Sequence, residues 1–547
     1  MKRISIIGLL LGFWVAPKLS QAQFLNDASV HGDFQLDAQY YKEDKTIGAP
    51  EVKERVLSNG FANFIFTAGD FSAGIRYESY LNPLQGFDPR YKGSGIPYRF
   101  ASYQKDNFQI TVGNYYEQFG SGLIFRTYEE RGLGFDNSMD GIRVKYKPAN
   151  GVRLTGILGR QRAFFDLGEG IVRGADAEIS LNEVHEKFAD LKTNITFGGS
   201  FISKFQEDQN PDFNLPENVG AGAARLSLSR GGVTLFGEYA YKANDPSTMN
   251  QFNYRPGQAL LVTASYSEQG LGVSLGAKRV DNMDFRSDRN ANGNVLMLNF
   301  LPPLTKQHTY NLPASIYPYA TQPLGEMSYQ GEVSYNFKRE SVLGGKYGTN
   351  IAFNYSAVHA PQRDSVSNGE SNRRYFTSDF FKFGKQKYFH DFNVEIQKKF
   401  SSKLKGTFTY LNFYYDIDVV QGLVGRGTVN ANMGVVDLTY KFNSNHSVRT
   451  ELQALQTEDD QGDWGMALVE YTVAPHWFVA VMDQYNYGNP EKDKKVHYPT
   501  GTVGYNRNTS RISLSYGRQR AGIVCVGGVC RNVPASNGLL LSITSSF

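Results

Sequence analysis

The residue types best suited to chemistry gather between Glu117 and Asp140, where Glu117, Arg126, Glu129, Glu130, Arg131 and Asp136 are set among Gly, Phe and Tyr. Two carboxylates can share general acid–base work only if they converge on one reacting group. Glu129 and Glu130 are adjacent, and neighbours on an extended chain point to opposite faces. The pair is poorly built for catalysis. Two readings stay open for this connection: a packed loop knitted by Arg–carboxylate contacts, or a segment that folds into a pore and narrows or plugs it.

A second candidate is Asp288, Asn290 and Asn292, followed by Gly293. Oxygen side chains at alternate positions and then Gly resemble the start of a calcium loop. The twelfth position is Asn299 where such a loop carries a bidentate Glu, so a polar loop is the better expectation and no metal or other cofactor is expected. The eight histidines are scattered. No nucleophile elbow, phosphate loop or dinucleotide fingerprint occurs, so the chain reads as a non-enzyme. Cys525 and Cys530, the two cysteines, bracket Val-Gly-Gly-Val. In an exported chain this spacing predicts a small disulfide ring; a two-thiolate metal site would lack further ligands.

The elements that must position these residues are strands. Phe71, Ala73, Ile75 and Tyr77 alternate with Ser72, Gly74, Arg76 and Glu78, and Met327 to Lys338 repeats the pattern. Such runs have one apolar and one polar face. Counting them predicts an all-β fold with about 24 strands. Turns such as Ala68-Gly69-Asp70 and Asn443-Ser444-Asn445 alternate with long connections at 118–138, 281–325, 359–385 and 518–537. Short turns at one end and long loops at the other predict a closed antiparallel transmembrane β-barrel, with the turns periplasmic and the loops extracellular. Mean hydropathy is −0.41, which a barrel tolerates because only alternate residues meet lipid.

Lys2 and Arg3 precede an apolar run, and Ser20-Gln21-Ala22 offers a cleavage site. Residues 1–22 therefore read as a signal peptide and 23–547 as one barrel domain. The 57 basic side chains are close in number to the 53 acidic ones, so nothing suggests nucleic acid as a partner. The last run, Leu539, Leu541, Ile543, Ser545 and Phe547, ends on an aromatic residue. It resembles the signal that barrels present to the assembly machinery. Lipid of the bacterial outer membrane and that machinery are the expected partners, with other outer-membrane or surface proteins beside them.

Distinctive stretches sharpen this expectation. They are Gly113-Asn114-Tyr115-Tyr116-Glu117-Gln118-Phe119-Gly120-Ser121-Gly122-Leu123, Tyr128-Glu129-Glu130-Arg131, Asp136-Asn137-Ser138 and Gly141 to Tyr146. Near the far end, Cys525 to Arg531 and Pro534 to Gly538 join them. Together these resemble an uncharacterised family of outer-membrane barrels from Bacteroidota, a domain of unknown function. The resemblance implies compartment and architecture and carries no activity.

Size then poses a problem. Barrels of 16–18 strands already enclose a channel, and 22-stranded transporters fill theirs with a plug. Strand-like sequence starts soon after the cleavage site, leaving no plug domain before it. Long loops must fold inward, the barrel must flatten, or a partner must cap it. The sequence therefore points to a scaffold or accessory subunit of an outer-membrane secretion or assembly complex, with a porin-like transport channel as the alternative.

Overall fold

The computed structural model describes residues 28–367, 374–526 and 529–547; the expected signal peptide lies outside them. Among the described residues 24 strands form one sheet. Each pairs antiparallel with its neighbours in the chain, from Ser29–Lys42 with Val56–Ala68 through to Ser510–Gln519 with Ser536–Ser546. The last strand pairs with the first, Asp33 opposite Ser546 and Lys42 opposite Asn537. The barrel is closed.

Alternation along each strand assigns the faces. On Phe71–Tyr80 the expected outer residues Phe71, Ile75 and Tyr77 are exposed, whereas Arg76 and Glu78 are buried inside. On Val233–Lys242 the outer set is Leu235, Tyr239 and Tyr241 and the inner set Glu238, Ala240 and Lys242. An apolar outer belt of this kind suits hydrocarbon and leaves no unpaired strand edge for water to satisfy, so the fold is that of a membrane barrel. Aromatic pairs on the outer face mark the turn end: Phe71–Tyr103 at 4.8 Å, Tyr440–Phe442 at 5.1 Å and Trp477–Tyr505 at 4.7 Å between ring centroids.

Both described termini lie at the turn end, as an even strand number requires. Phe547 continues the last strand, exchanging backbone hydrogen bonds of 3.0 Å with Gly32 in both directions. Its ring lies across Gly32, where a Cβ would sit 2.4 Å from it. Turns are mostly two to four residues, but 181–193 and 338–348 are longer. The first of these carries two short helices.

One expectation fails. The described residues of the expected loop 359–385 continue two strands instead. The strands Thr349–Ser367 and Arg374–Lys399 carry the pairing far past the ends of their neighbours, with register shifts at His359, Pro361 and Arg363. Neither face of this extension lines the lumen, so the alternation of lipid-facing and lumen-facing residues that marks the other strands is missing from it.

Candidate functional site

The barrel interior at the loop end is filled by the chain's own connections. Residues 116–138 turn inward, and Phe119, Leu123, Ile124 and Phe125 join inward-facing Val172, Ile202, Ala221, Ala240 and Leu261 in one buried cluster. Loop 282–324 contributes Met283, Phe285, Leu298 and Leu301 to that cluster. It then crosses the lumen, and its Leu312, Ile316, Tyr317 and Tyr319 pack on Phe389, Leu411, Tyr415 and Met433 of the far wall. A single segment thus carries a hydrophobic core on each side of the barrel.

The two loops are stitched to each other. Arg126 N–H donates to Leu298 O at 2.8 Å, and Phe300 N–H donates to Gly122 O at 2.9 Å. Asn137 Nδ2 donates to Met297 O at 2.8 Å. The Arg126 guanidinium lies between Tyr128 and Phe300, 4.3 and 4.0 Å from the ring centroids, a geometry attractive to a cation.

Charged groups fasten this plug to the wall. Arg76 on Phe71–Tyr80 holds Glu78 (Nε–Oε1 2.7 Å) and Glu129 (Nη1–Oε2 2.8 Å), and also pairs with Asp136. Arg162, at the end of Val152–Ala163, reaches Glu78 and Asp136, both at 2.6 Å. Asp136 additionally accepts from Tyr116 Oη at 3.0 Å and from Ser138 N–H at 2.9 Å. Burial alone would raise the Asp136 pKa, but Arg162, Arg76 and the Ser138 N–H hold it below the ordinary carboxylate value. Glu129 is displaced upward, since burial outweighs the attraction of Arg76 and Arg131. Arg131 ties Glu129 to Asp33 of the first strand, with both contacts at 2.8 Å.

Five of the six candidate residues therefore act as anchors. Glu117 pairs with Lys145 at 2.7 Å and Arg143 at 3.4 Å; Arg126, Glu129, Arg131 and Asp136 act as described. Glu130 makes no ion pair among the described residues, so the two adjacent glutamates part as an extended chain requires. The two readings left open by the sequence meet in one arrangement: the loop is knitted by Arg–carboxylate contacts, and it lies in the lumen.

Sequence reasoning missed the anchors of the second loop. Lys278 Nζ meets Glu326 at 2.8 Å and donates to Pro302 O at 2.5 Å and Thr321 Oγ1 at 2.8 Å. Lys242 Nζ donates to Asp284 O at 2.5 Å. On the far wall Leu312 N–H donates to Gln453 Oε1 at 3.0 Å, and Tyr415 Oη donates to Pro318 O at 3.1 Å. The available signal was a lysine on the lumen face of Leu271–Asp281, diagonal to Glu326 on the same face of the next strand.

Cys525 and Cys530 form a disulfide at the tip of the hairpin Gly522–Val526 and Val529–Val533. Asn294 Nδ2 donates to Cys530 O at 2.7 Å, so this third loop also closes onto the second. Cavities remain where the loops meet: one of about 200 Å³ bounded by Arg90, Asp136, Asn294 and Arg531, one of about 480 Å³ bounded by Tyr317, Asp460 and Arg520, and one of about 850 Å³ bounded by Thr46, Arg426, Asn489 and Tyr498. The first has room for several waters, and the other two are of the size of solute pockets. In the calcium candidate, Asp288 Oδ1 accepts from Gln206 Nε2 and Asn290 N–H, both at 2.9 Å, while Asn299 donates to Leu123 O and Met283 O. Among the described residues no group of three or more His, Cys, Asp or Glu is placed to hold a metal. Towards the turn end, lumen-facing Ser265, Ser274 and Asn336 are exposed, so that half is a polar vestibule.

The family of unknown function DUF6029 matches residues 1–547. The chain belongs to it. No functionally curated protein matches the sequence. Among solved structures the chain is similar to the P pilus usher translocation pore PapC, at 9% identity and TM-score 0.41, over 95% of this chain and 99% of that one. The siderophore receptor PirA from Acinetobacter baumannii is similar at 9% identity and TM-score 0.43, over 95% and 80%. A BenF-like porin from Pseudomonas fluorescens Pf-5 gives 13% and 0.34, over 80% and 100%. Likenesses this distant transfer no activity to this DUF6029 protein.

Proposed function

We propose that this DUF6029 protein is a non-enzymatic barrel of the bacterial outer membrane, sealed by its own loops, that serves as a scaffold or accessory subunit of a secretion or assembly complex. One observation carries the reading: loops 116–138 and 282–324 occupy the loop half of the lumen and bind both walls through buried cores and ion pairs. A porin needs a constriction lined by solvated side chains. Here the corresponding level is occupied by two buried hydrophobic cores and by side chains committed to ion pairs. The loops face outside, the vestibule faces the periplasm, and partners would dock on either end.

The wet vestibule supports the second reading, a transport channel whose plug yields to a solute or partner. Affinity purification of the full chain from native membranes in mild detergent separates the two. A stoichiometric protein partner is the expected result. Recovery of the barrel alone, together with uptake of a small solute that depends on it, would overturn the scaffold reading.

A further inference from the structure

The extension of Thr349–Ser367 and Arg374–Lys399 presents an anomaly on the barrel's outside. On Leu271–Asp281, Lys278 and Val280 face the lumen, so Leu275, Arg279 and Asp281 face outward. On Gly325–Phe337, Met327 stands opposite Arg279 and Tyr329 opposite Ala277, both also outward. Leu275 is exposed as a lipid-facing residue should be. Arg279 and Met327 are only 4% and 7% exposed. A charged guanidinium on an outer wall needs a cover and partners.

The hairpin is that cover. Ser378 hydrogen-bonds both Arg279 and Asp281. The Phe380 ring lies 4.5 Å from the Arg279 guanidinium and 6.4 Å from the ring of outward Tyr239. Phe383 meets Tyr329 edge-on at 6.1 Å. The two arms bend where Gly384 passes Pro361; a Cβ there would lie 2.8 Å from Pro361 O. The hairpin therefore leaves the sheet, turns outward and lies along the outer wall at the level of Tyr239 and Tyr329. Tyr239 is three residues before the end of its strand, roughly 10 Å along it at the rise of a β-strand. That is the level of the loop-end membrane interface, where aromatic residues gather.

What this hairpin shows to its surroundings is aromatic and basic. Phe381 is 80% exposed and Phe383 50%. Lys382 and Lys385 are exposed beside them. Residues 378–387 carry three lysines against the single Asp379, which pairs with Lys382 at 2.8 Å. Lys387 is engaged over the Tyr414 ring at 4.0 Å. Apolar rings at the acyl boundary with lysines able to reach the headgroups form the arrangement that holds an amphipathic segment in an anionic interface.

We propose that this outward hairpin is a lipid-docking element, with Phe381 and Phe383 in the outer leaflet and Lys382 and Lys385 on the phosphates of anionic lipid headgroups. The inference needs only that the barrel spans a membrane; it is independent of whether the lumen is sealed. The full chain is refolded into vesicles of phosphatidylcholine alone or mixed with phosphatidylglycerol, and Phe381→Trp is read as a difference against the wild type. The expected result is emission quenched by brominated acyl chains, spared by dissolved iodide, and more strongly quenched in the anionic vesicles. Lys382→Gln with Lys385→Gln abolishes that anionic increment. In the unaltered chain, trypsin cleavage after Lys382 and Lys385 slows when phosphatidylglycerol is present. Iodide quenching without bromine quenching would overturn the docking. Bromine quenching or trypsin protection indifferent to phosphatidylglycerol would overturn the phosphate recognition. Heat-modifiable gel mobility confirms that each variant is folded.

Discussion

Asp136 concentrates the chemistry of the plug in one side chain. It receives Arg76, Arg162, Tyr116 and Ser138 N–H with its side chain only 6% exposed. Removing one partner of a buried ionic network strands the others and costs about 3–5 kcal/mol. Asp136→Asn is therefore expected to lower the temperature at which the barrel loses its heat-modifiable mobility, whereas Glu130→Gln, with no ion pair among the described residues, leaves it unchanged. The pH dependence has a definite sign. Asp136 is held below the ordinary carboxylate value of ~3.9, so its contribution is complete above that value and is lost as pH falls through its folded pKa. Glu129 works the other way: its raised pKa means that stability falls as pH rises from the ordinary value to the folded one. Cleavage after Arg131 by an acid-tolerant protease should therefore begin only below the ordinary carboxylate range. Cleavage that begins near neutral pH would contradict the docked loop.

Loops 116–138 and 282–324 behave as one element because their backbones bond to each other as well as to the wall. Asp281 and Gly325 are opposed in the sheet, so a short Gly-Ser turn can replace 284–322 without breaking the barrel. That variant is expected to keep its heat-modifiable mobility and to gain ion conductance; loss of the loop without gain of current would contradict its role as plug. The ring closed by Cys525 and Cys530 is small, and chain-entropy reasoning gives such a crosslink about 2 kcal/mol. Cys525→Ser with Cys530→Ser should speed proteolysis within 520–535 and leave the barrel transition nearly unshifted. How far the elements were legible follows the physics of each. Phe71, Ala73, Ile75 and Tyr77 announced their strand because lipid meets one face and the lumen the other. The stretch 359–385 did not, because the register shifts on both sides of Pro361 and Phe380 to Phe383 have barrel wall on one side and the membrane interface on the other.

At the scale of the whole molecule, closure, strand number and the placing of both described termini at one end were all written in the alternation and in the lengths of the turns. The site was legible in part. Glu117, Arg126, Glu129, Arg131 and Asp136 could be chosen by type, but their partners could not. Asp136 is 60 residues from Arg76, and only the curvature of a closed wall brings the two together. Lys278 and Glu326 read as ordinary polar-face residues until a loop is laid over them. The lumen is thus a core assembled by the barrel from segments that have no apolar period of their own.

The central claim is that this core closes the pore. Single-channel recording of the purified full chain in planar bilayers tests it most directly. A silent membrane is expected from the unaltered protein, with steady current appearing only when 284–322 is removed. Steady nanosiemens-scale current from the unaltered protein would contradict it.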